Sequence, residues 1–393
     1  MTRPELAPPK HPIERLPEEW SEKLRAWGEP AYRGKQVFQW IHQRGVLDPD
    51  AMTDLPKSLR AKLADEGLSL PATIALAKPS DDGTRKLLVR LADSKDVETV
   101  LIPQLVDASS RDALDGVDEL DAEDDAIAGL VPGDVVTQCI SSQVGCAMAC
   151  SFCASGVAGL KRNLDAAEIV AQVLLGRTQL TGRERIRNVV LMGMGEPLHN
   201  YDAVCRALVL LTHPDGIALS ARRVTLSTSG LVPQIDRLGR DFGGQIALAI
   251  SLHATNDATR SAIMPVNRKH DLASLVGALR RYPLPKRRRI TIEYTLLDTI
   301  NDSDADADAM VRLLAGVPTK VNLIPMNPVS GSPLKAPSWS RVLGFQKRLQ
   351  DRGLACFIRK QRGDDIDAAC GQLALHGEAA RKGRLGLPVI PAR

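Results

Sequence analysis

The stretch CISSQVGCAMACSFC, residues 139 to 153, places four of the chain's seven cysteines within fifteen positions. Thiolates ligate soft metals and iron–sulfur clusters, and they attack as nucleophiles. Closed structural zinc sites need four ligands, commonly as two separated Cys-x-x-Cys knuckles. Here the gaps are x6, x3 and x2, with no second knuckle. A cubane 4Fe-4S cluster held by Cys146, Cys150 and Cys153 alone leaves one iron open to a substrate and frees Cys139 for another task. A zinc site using all four thiols is the alternative that spacing alone permits. In MGMGEP (192–197), Gly193 and Gly195 allow backbone to approach a ligand closely, and Glu196 offers an acceptor to an ammonium. Ser227, the pair Ser251 and His253, and Asn327 are further candidates. Taken singly, each is more ordinarily a capping or core polar residue. Cys205 and Cys356 fall on helical and strand patterns and read as core.

The elements that must position these residues follow from periodicity. Residues 1–72 space apolar residues three or four apart in PEEWSEKLRAWG, RGKQVFQWIHQRG and LPKSLRAKLADEG, each ending at glycine, which predicts a small helical domain. ATIALAK, RKLLVRLA and VETVLIP then predict a short antiparallel extension over 73–106, its first two strands joined through Asp82-Gly83. From 135 to 364 the pattern becomes strand–helix alternation. VTQCISS, NVVLMGMG, RVTLSTSG, QIALAISLH, RITIEYTLL and KVNLIPMN supply six strands, and LDAAEIVAQVLLG, LASLVGALRRY and ADADAMVRLLAG are among the helices between them. The predicted class is α/β, a parallel sheet curled into a partial (β/α)6 barrel, whose chemistry belongs on the loops at the carboxyl ends of its strands. Cys146 to Cys153 follow the first strand, Gly193 to Glu196 the second, Ser227 the third, His253 the fourth and Asn327 the sixth.

The x3-x2 cysteines on a loop after the first barrel strand, with Phe152 before the last of them, resemble the signature of radical S-adenosylmethionine (SAM) enzymes. With RKQRGDDIDAACGQLA (359–374) the resemblance becomes specific. Together with TQCISSQVGCAMACSFC, NVVLMGMGEP, RRVTLSTSG, AISLHA, RITIEY and NLIPMNP, that segment is similar to the RNA adenine methyltransferases of the RlmN/Cfr type, closer to the carbon-2 branch than to the carbon-8 antibiotic-resistance branch. The resemblance implies a 4Fe-4S cluster on Cys146, Cys150 and Cys153. It implies SAM contacts at Gly195, Glu196, Ser227, Ser251, Leu252, His253 and Asn327. It also implies two SAM per turnover: one methylates Cys370, and the other is cleaved to a radical that removes hydrogen from that methyl group. The resulting methylene radical adds to the adenine ring. Glu98 is then implied as the base for the ring proton, although a strand carboxylate is ordinarily just exposed, and Cys139 as the thiolate that attacks the Cys370 sulfur. That attack forms a transient disulfide and releases the base. Cys370 in DAACGQ sits on a predicted mobile loop in the C-terminal segment, 365–393. An electron donor such as flavodoxin with its reductase is implied as well.

Charge distribution bears on the partner. Residues 107–134 hold ten acidic residues against one Arg; without them 50 basic residues face 37 acidic ones, a net +13 in place of +4. A body this basic attracts polyanions. The acidic stretch itself reads as a flexible insertion. LKRN (Lys161, Arg162), PKRRR (Lys286–Arg289), RKQR (Arg359, Lys360, Arg362) and the terminal RKGR are candidate phosphate contacts, two of them flanking motifs at the predicted mouth. Aromatic content of 3% gives no indication of a stacking platform for single-stranded RNA. The resemblance implies 23S rRNA, and tRNA beside the anticodon, as substrates in which an adenine is unstacked. A non-catalytic, metal-stabilised RNA-binding module and adenine-C8 methylation remain the competing readings. No stretch approaches eighteen consecutive apolar residues, and MTRPELAPPKHPIERLPEEW lacks the apolar core of a secretory signal. The chain is expected to be cytoplasmic, off the membrane and monomeric.

Overall fold

The computed structural model describes residues 4–104, 129, 131–329, 332–359, 362–368 and 371–373. Ten strands form one sheet: β1 (Ala72–Pro79), β2 (Arg85–Leu91), β3 (Asp96–Pro103), β4 (Val135–Cys139), β7 (Arg185–Leu191), β8 (Val224–Thr228), β9 (Ala247–Ser251), β10 (Ile290–Leu296), β11 (Thr319–Pro325) and β12 (Ala355–Ile358). Two short strands, β5 (Gln143–Val144) and β6 (Arg162–Asn163), pair antiparallel and close the base of the cysteine loop. From β4 to β12 every pairing in the large sheet is parallel, while β1, β2, β3 and β4 pair antiparallel in succession. The sheet does not close, since β1 and β12 are its two edges. This is the partial α/β barrel expected, with two differences. A seventh parallel strand, β12, carries Cys356, and the antiparallel strands extend the barrel sheet itself through the register Val100↔Cys139.

Local chemistry explains the elements around the site. Asp165 and Glu168 form a capping box that starts the Ala166–Arg177 helix. That helix is apolar on nearly every side because it is covered on every side. One covering is the N-terminal helical unit, whose helices Pro17–Ala26, Arg33–Phe38 and Lys57–Asp65 fall where the periodicity predicts. Buried Arg206, on the Tyr201–Thr212 helix, fixes the two units together. Its guanidinium donates to the carbonyls of Ala7 (3.0 Å) and Glu14 (2.9 Å) and pairs with Glu19 at 2.9 Å. The Asp82-Gly83 turn joins β1 to β2 as predicted, with the Thr84 amide donating to Asp82 Oδ1 at 2.8 Å. Cys205 and Cys356 are buried in the core. Among the described residues no helix is long and apolar enough to cross a membrane. Of the acidic stretch 107–134, only 129 and 131–134 are described, so its predicted flexibility lies outside the described residues.

Candidate active site

A cavity of ≈ 890 Å³, measured out to its open mouth, lies at the carboxyl ends of the parallel strands. Cys146, Cys150 and Cys153 line it, as do Gly193, Gly195, Glu196, Ser227, Ser251, His253 and Asn327. Residues spread over 182 positions of sequence thus meet in one wall. Leu252 is buried behind that wall and does not line it; its amide donates to the Glu293 carbonyl at 3.0 Å. Cys370 lies outside the described residues, but its chain neighbour Gly371 lines the cavity.

The cysteine loop is held from three directions. Its base is the β5–β6 ribbon, the Ser151 amide donates to the Ile263 carbonyl at 3.0 Å, and the Ala154 amide donates to the Gly371 carbonyl at 2.8 Å. Burial pushes the Cys146 thiol up to about 12 and that of Cys150 well above its usual value, and negative charge on the other thiols raises both further. Buried thiolates crowded this way need a compensating cation. Among the described residues no three His, Cys, Asp or Glu side chains converge closely enough to enclose one ion. Three cysteine thiols in one cavity wall are a donor set suited to an iron–sulfur cluster.

Glu196 is buried, and both its oxygens are oriented by backbone: Leu198 N–H donates to Oε1 at 3.1 Å and Ser229 N–H to Oε2 at 2.7 Å. Burial raises its pKa, and the Ser229 hydrogen bond opposes that. The glycines before it also meet a packing demand. A Cβ on Gly193 would lie 2.7 Å from Ser141 Oγ, and one on Gly195, at φ +110°, would lie 2.7 Å from Gln143 Cβ. They let the β7 loop close on the chain after β4 while their backbone lines the cavity.

His253 adopts a left-handed backbone (φ +54°). Its Nδ1 accepts from Thr295 N–H at 2.9 Å, and its carbonyl accepts from Asn301 Nδ2 at 2.7 Å. Burial pushes its pKa down to about 3, so the ring is neutral and carries its proton on Nε2. Phe152 packs edge-on against it with ring centres 4.6 Å apart, joining the cysteine loop to the β9 loop.

Two residues escape the motif reading. Buried Arg260, on the Asp257–Ile263 helix, donates to the carbonyls of Leu252 (3.0 Å), Ser229 (2.7 Å) and Ser251 (3.0 Å), and so locks the β8 and β9 loops together. Nothing in NDATRSAIM marks it. Glu293 on β10 lines the cavity and takes a hydrogen bond from Asn322 at 3.1 Å, while its Oε2 has no hydrogen-bond partner among the described residues. Its signal is a carboxylate between the apolar Ile292 and Tyr294 in the strand segment RITIEY.

The other implied residues lie on the antiparallel side. Glu98 on β3 is 3% exposed and pairs with Lys86 at 3.4 Å, so it is no surface carboxylate. Cys139, 5% exposed, ends β4 in register with Val100 and Val190, and it does not line the cavity. The basic stretches also divide. Arg162 is engaged by Asp93 and Glu168 at 2.8 Å, and Arg362 by Asp82 at 2.9 Å. Lys286–Arg289 precedes β10, at the end of the sheet away from the cavity. Arg359 lines the cavity, whereas Lys360 and the terminal RKGR lie outside the described residues.

An open α/β sheet whose strand ends gather three cysteines, a glycine-rich turn and a buried glutamate defines a radical SAM protein, and residues 140–311 match the radical SAM superfamily. Residues 18–67 match the ribosomal RNA large subunit methyltransferase N-terminal domain. The chain is 61% identical over 375 residues to the dual-specificity RNA methyltransferase RlmN of Sorangium cellulosum, covering 94% of this chain and 96% of that one. It is 45% identical to the RlmN of Syntrophobacter fumaroxidans, covering 91% and 94%. A crystal structure of a radical SAM methyltransferase from Sphaerobacter thermophilus superimposes with a TM-score of 0.81 at 43% identity, covering 93% of this chain and 99% of that one. The chain belongs to the RlmN family.

Proposed function

We propose that the protein methylates carbon 2 of an adenine in 23S rRNA, and of the adenine beside the anticodon in tRNA, using two SAM per turnover. The observation that carries this reading is the single cavity lined by Cys146, Cys150, Cys153, Glu196, His253 and the chain neighbour of Cys370. Carbon 2 of adenine is electron-poor and its hydrogen is not acidic, so ordinary nucleophilic transfer from SAM fails there. Cys146, Cys150 and Cys153 would hold a 4Fe-4S cluster, which when bound supplies the electron that splits SAM into methionine and a 5'-deoxyadenosyl radical.

The chain's own groups do the rest. Glu196, with both oxygens aimed by backbone donors, accepts from the SAM ammonium. His253 donates from Nε2, and Gly195, Ser227, Ser251 and Asn327 complete the SAM contacts, with Leu252 buttressing them from behind. The Cys370 thiolate attacks the methyl carbon of one SAM, and S-adenosylhomocysteine leaves as the new S–CH3 bond forms. The methylene radical left when hydrogen is removed from the Cys370 methyl group adds through its carbon to carbon 2, Glu98 takes the ring proton, and the odd electron would return to the oxidised cluster. Cys139 attacks the Cys370 sulfur; the S–C bond breaks, its electron pair stays with carbon and is protonated, and a disulfide remains to be reduced. A donor such as flavodoxin with its reductase would supply electrons to this cytoplasmic, monomeric enzyme. The test is mass spectrometry of digested rRNA and tRNA after anaerobic incubation with cluster-loaded protein. 2-Methyladenine is expected; 8-methyladenine would move the protein to the other branch, and no product with intact cluster would leave an RNA-binding module.

A further inference from the structure

Lys86 is a lysine almost without solvent. It lies on β2 and is 5% exposed, and its Nζ has two partners, Glu98 Oε1 at 3.4 Å and the Asp367 carbonyl at 3.2 Å. The pairing Leu88↔Glu98 and Lys86↔Val100 makes Lys86 and Glu98 diagonal neighbours on one face of the sheet. A buried ion pair of this kind returns little net stability, because desolvating both charges cancels most of their attraction. Its value must then lie in what it positions.

Asp367 belongs to the segment that leads into Cys370, and that segment is tied to the same sheet edge a second time. Arg362 pairs with Asp82 and donates to the Pro103 carbonyl at 2.9 Å, while the Gly363 amide donates to Asp82 Oδ2 at 3.1 Å. The chain thus leaves the β1–β2 turn, passes Lys86 at Asp367 and reaches the cysteine loop at Gly371. One ammonium touches both the carboxylate assigned as base and the backbone three residues before the assigned methyl carrier.

We infer that Lys86 is a positioning residue for proton removal, holding the Glu98 carboxylate at a fixed place relative to the segment that carries Cys370. The inference rests on the proposed function through Glu98 and Cys370. A buried carboxylate that loses this counter-ion is favoured to take up a proton, and a protonated Glu98 cannot accept the one on the adenine ring. The block falls after radical addition, so the RNA stays bound to the enzyme.

The experiment compares cluster-loaded parent, Lys86→Met, Lys86→Arg and Glu98→Gln proteins in single turnover with SAM and an rRNA fragment. It follows 5'-deoxyadenosine and the covalent RNA–protein band on denaturing gels. Lys86→Met is expected to form 5'-deoxyadenosine at the parent's rate and to accumulate the adduct. Its release should slow on the order of 10²-fold or more, the scale of a lost general base. Lys86→Arg, which keeps the charge, should release more product than Lys86→Met. Adduct in Glu98→Gln but not in Lys86→Met overturns the inference and leaves Glu98 as base. Adduct in neither removes Glu98 from that role and the inference with it, and loss of 5'-deoxyadenosine in Lys86→Met makes the lysine merely structural. Should Lys86→Met not fold, Lys86→Gln carries the same expectations.

Discussion

The rim of the parallel strands and the antiparallel edge beside it are built on opposite principles. At the rim, consecutive strand ends each deliver one or two polar groups, oriented by backbone: Glu196 by two N–H donors, His253 by Thr295. The Glu196 and His253 contacts lie within the sheet and its loops, while the cysteine loop is also tied to Gly371 through the Ala154 amide. At the edge, Glu98 and Cys139 are buried in β3 and β4, and the Lys86 ammonium beside Glu98 takes its second contact from a segment more than 260 residues further along. The ion pair at the edge is therefore completed by a remote piece of chain, whereas Glu196 and His253 are oriented by neighbouring strands and loops.

The largest expected effect separates the two regions outright. Cys146→Ala, Cys150→Ala and Cys153→Ala should each lose nearly all bound iron and all 5'-deoxyadenosine formation, because the remaining thiols cannot hold the cluster. Cys139→Ala should keep the parent's iron content and 5'-deoxyadenosine yield and accumulate RNA–protein adduct. Iron measured after anaerobic purification decides between them. If Cys139→Ala also loses iron, Cys139 is a ligand and the division between rim and edge collapses.

This division was only half legible in the sequence. The rim motifs follow successive strands, and a strand's carboxyl end is where such folds bind ligands, so Cys146 to Cys153, Glu196 and His253 could be gathered from order alone. The seventh parallel strand is four residues long, and although Cys356 falls on a strand pattern, ACFI is too short to mark itself as a further barrel strand. The edge was less readable, because a buried ion pair has no periodicity of its own. Lys86 occupies a position in RKLLVRL where alternation allows either face, and only the fold brings Asp367 to it. Arg260 was invisible for the same reason, since its work is to join carbonyls from two different loops.

A pH experiment sharpens the description of the rim. Burial holds His253 at the rim, and His42 in the N-terminal helical unit, at about 3, against about 6.5 in an unfolded chain. Below pH 6.5 the unfolded chain takes up two protons that the folded one does not, so stability is full above pH 6.5, falls as pH drops and levels near pH 3. The steepest slope from these two groups approaches about 2.7 kcal/mol per pH unit. Denaturant unfolding between pH 7.5 and 5 measures it, and His253→Gln should remove about one proton's share of the slope. SAM affinity should show no His253 titration between pH 6 and 8, and a transition there that His253→Gln abolishes would mean that the ring charges at the rim.

Two glycines give the smallest effects and the closest contrast. Gly195→Ala puts a methyl 2.7 Å from Gln143 Cβ and 2.8 Å from its amide nitrogen, at a φ of +110° that side chains rarely adopt. It should cost about 1–3 kcal/mol and weaken SAM binding, because the β7 loop must move off the chain after β4 and carry Glu196 with it. Gly344 lies on the Trp339–Gln350 helix, away from the cavity, and a Cβ there meets nothing within 4 Å. Gly344→Ala should stabilise the protein by about 0.5–1 kcal/mol and leave SAM affinity alone. Equal responses at the two positions would mean that the β7 loop is slack rather than wedged, and that the rim needs its ligand to take shape.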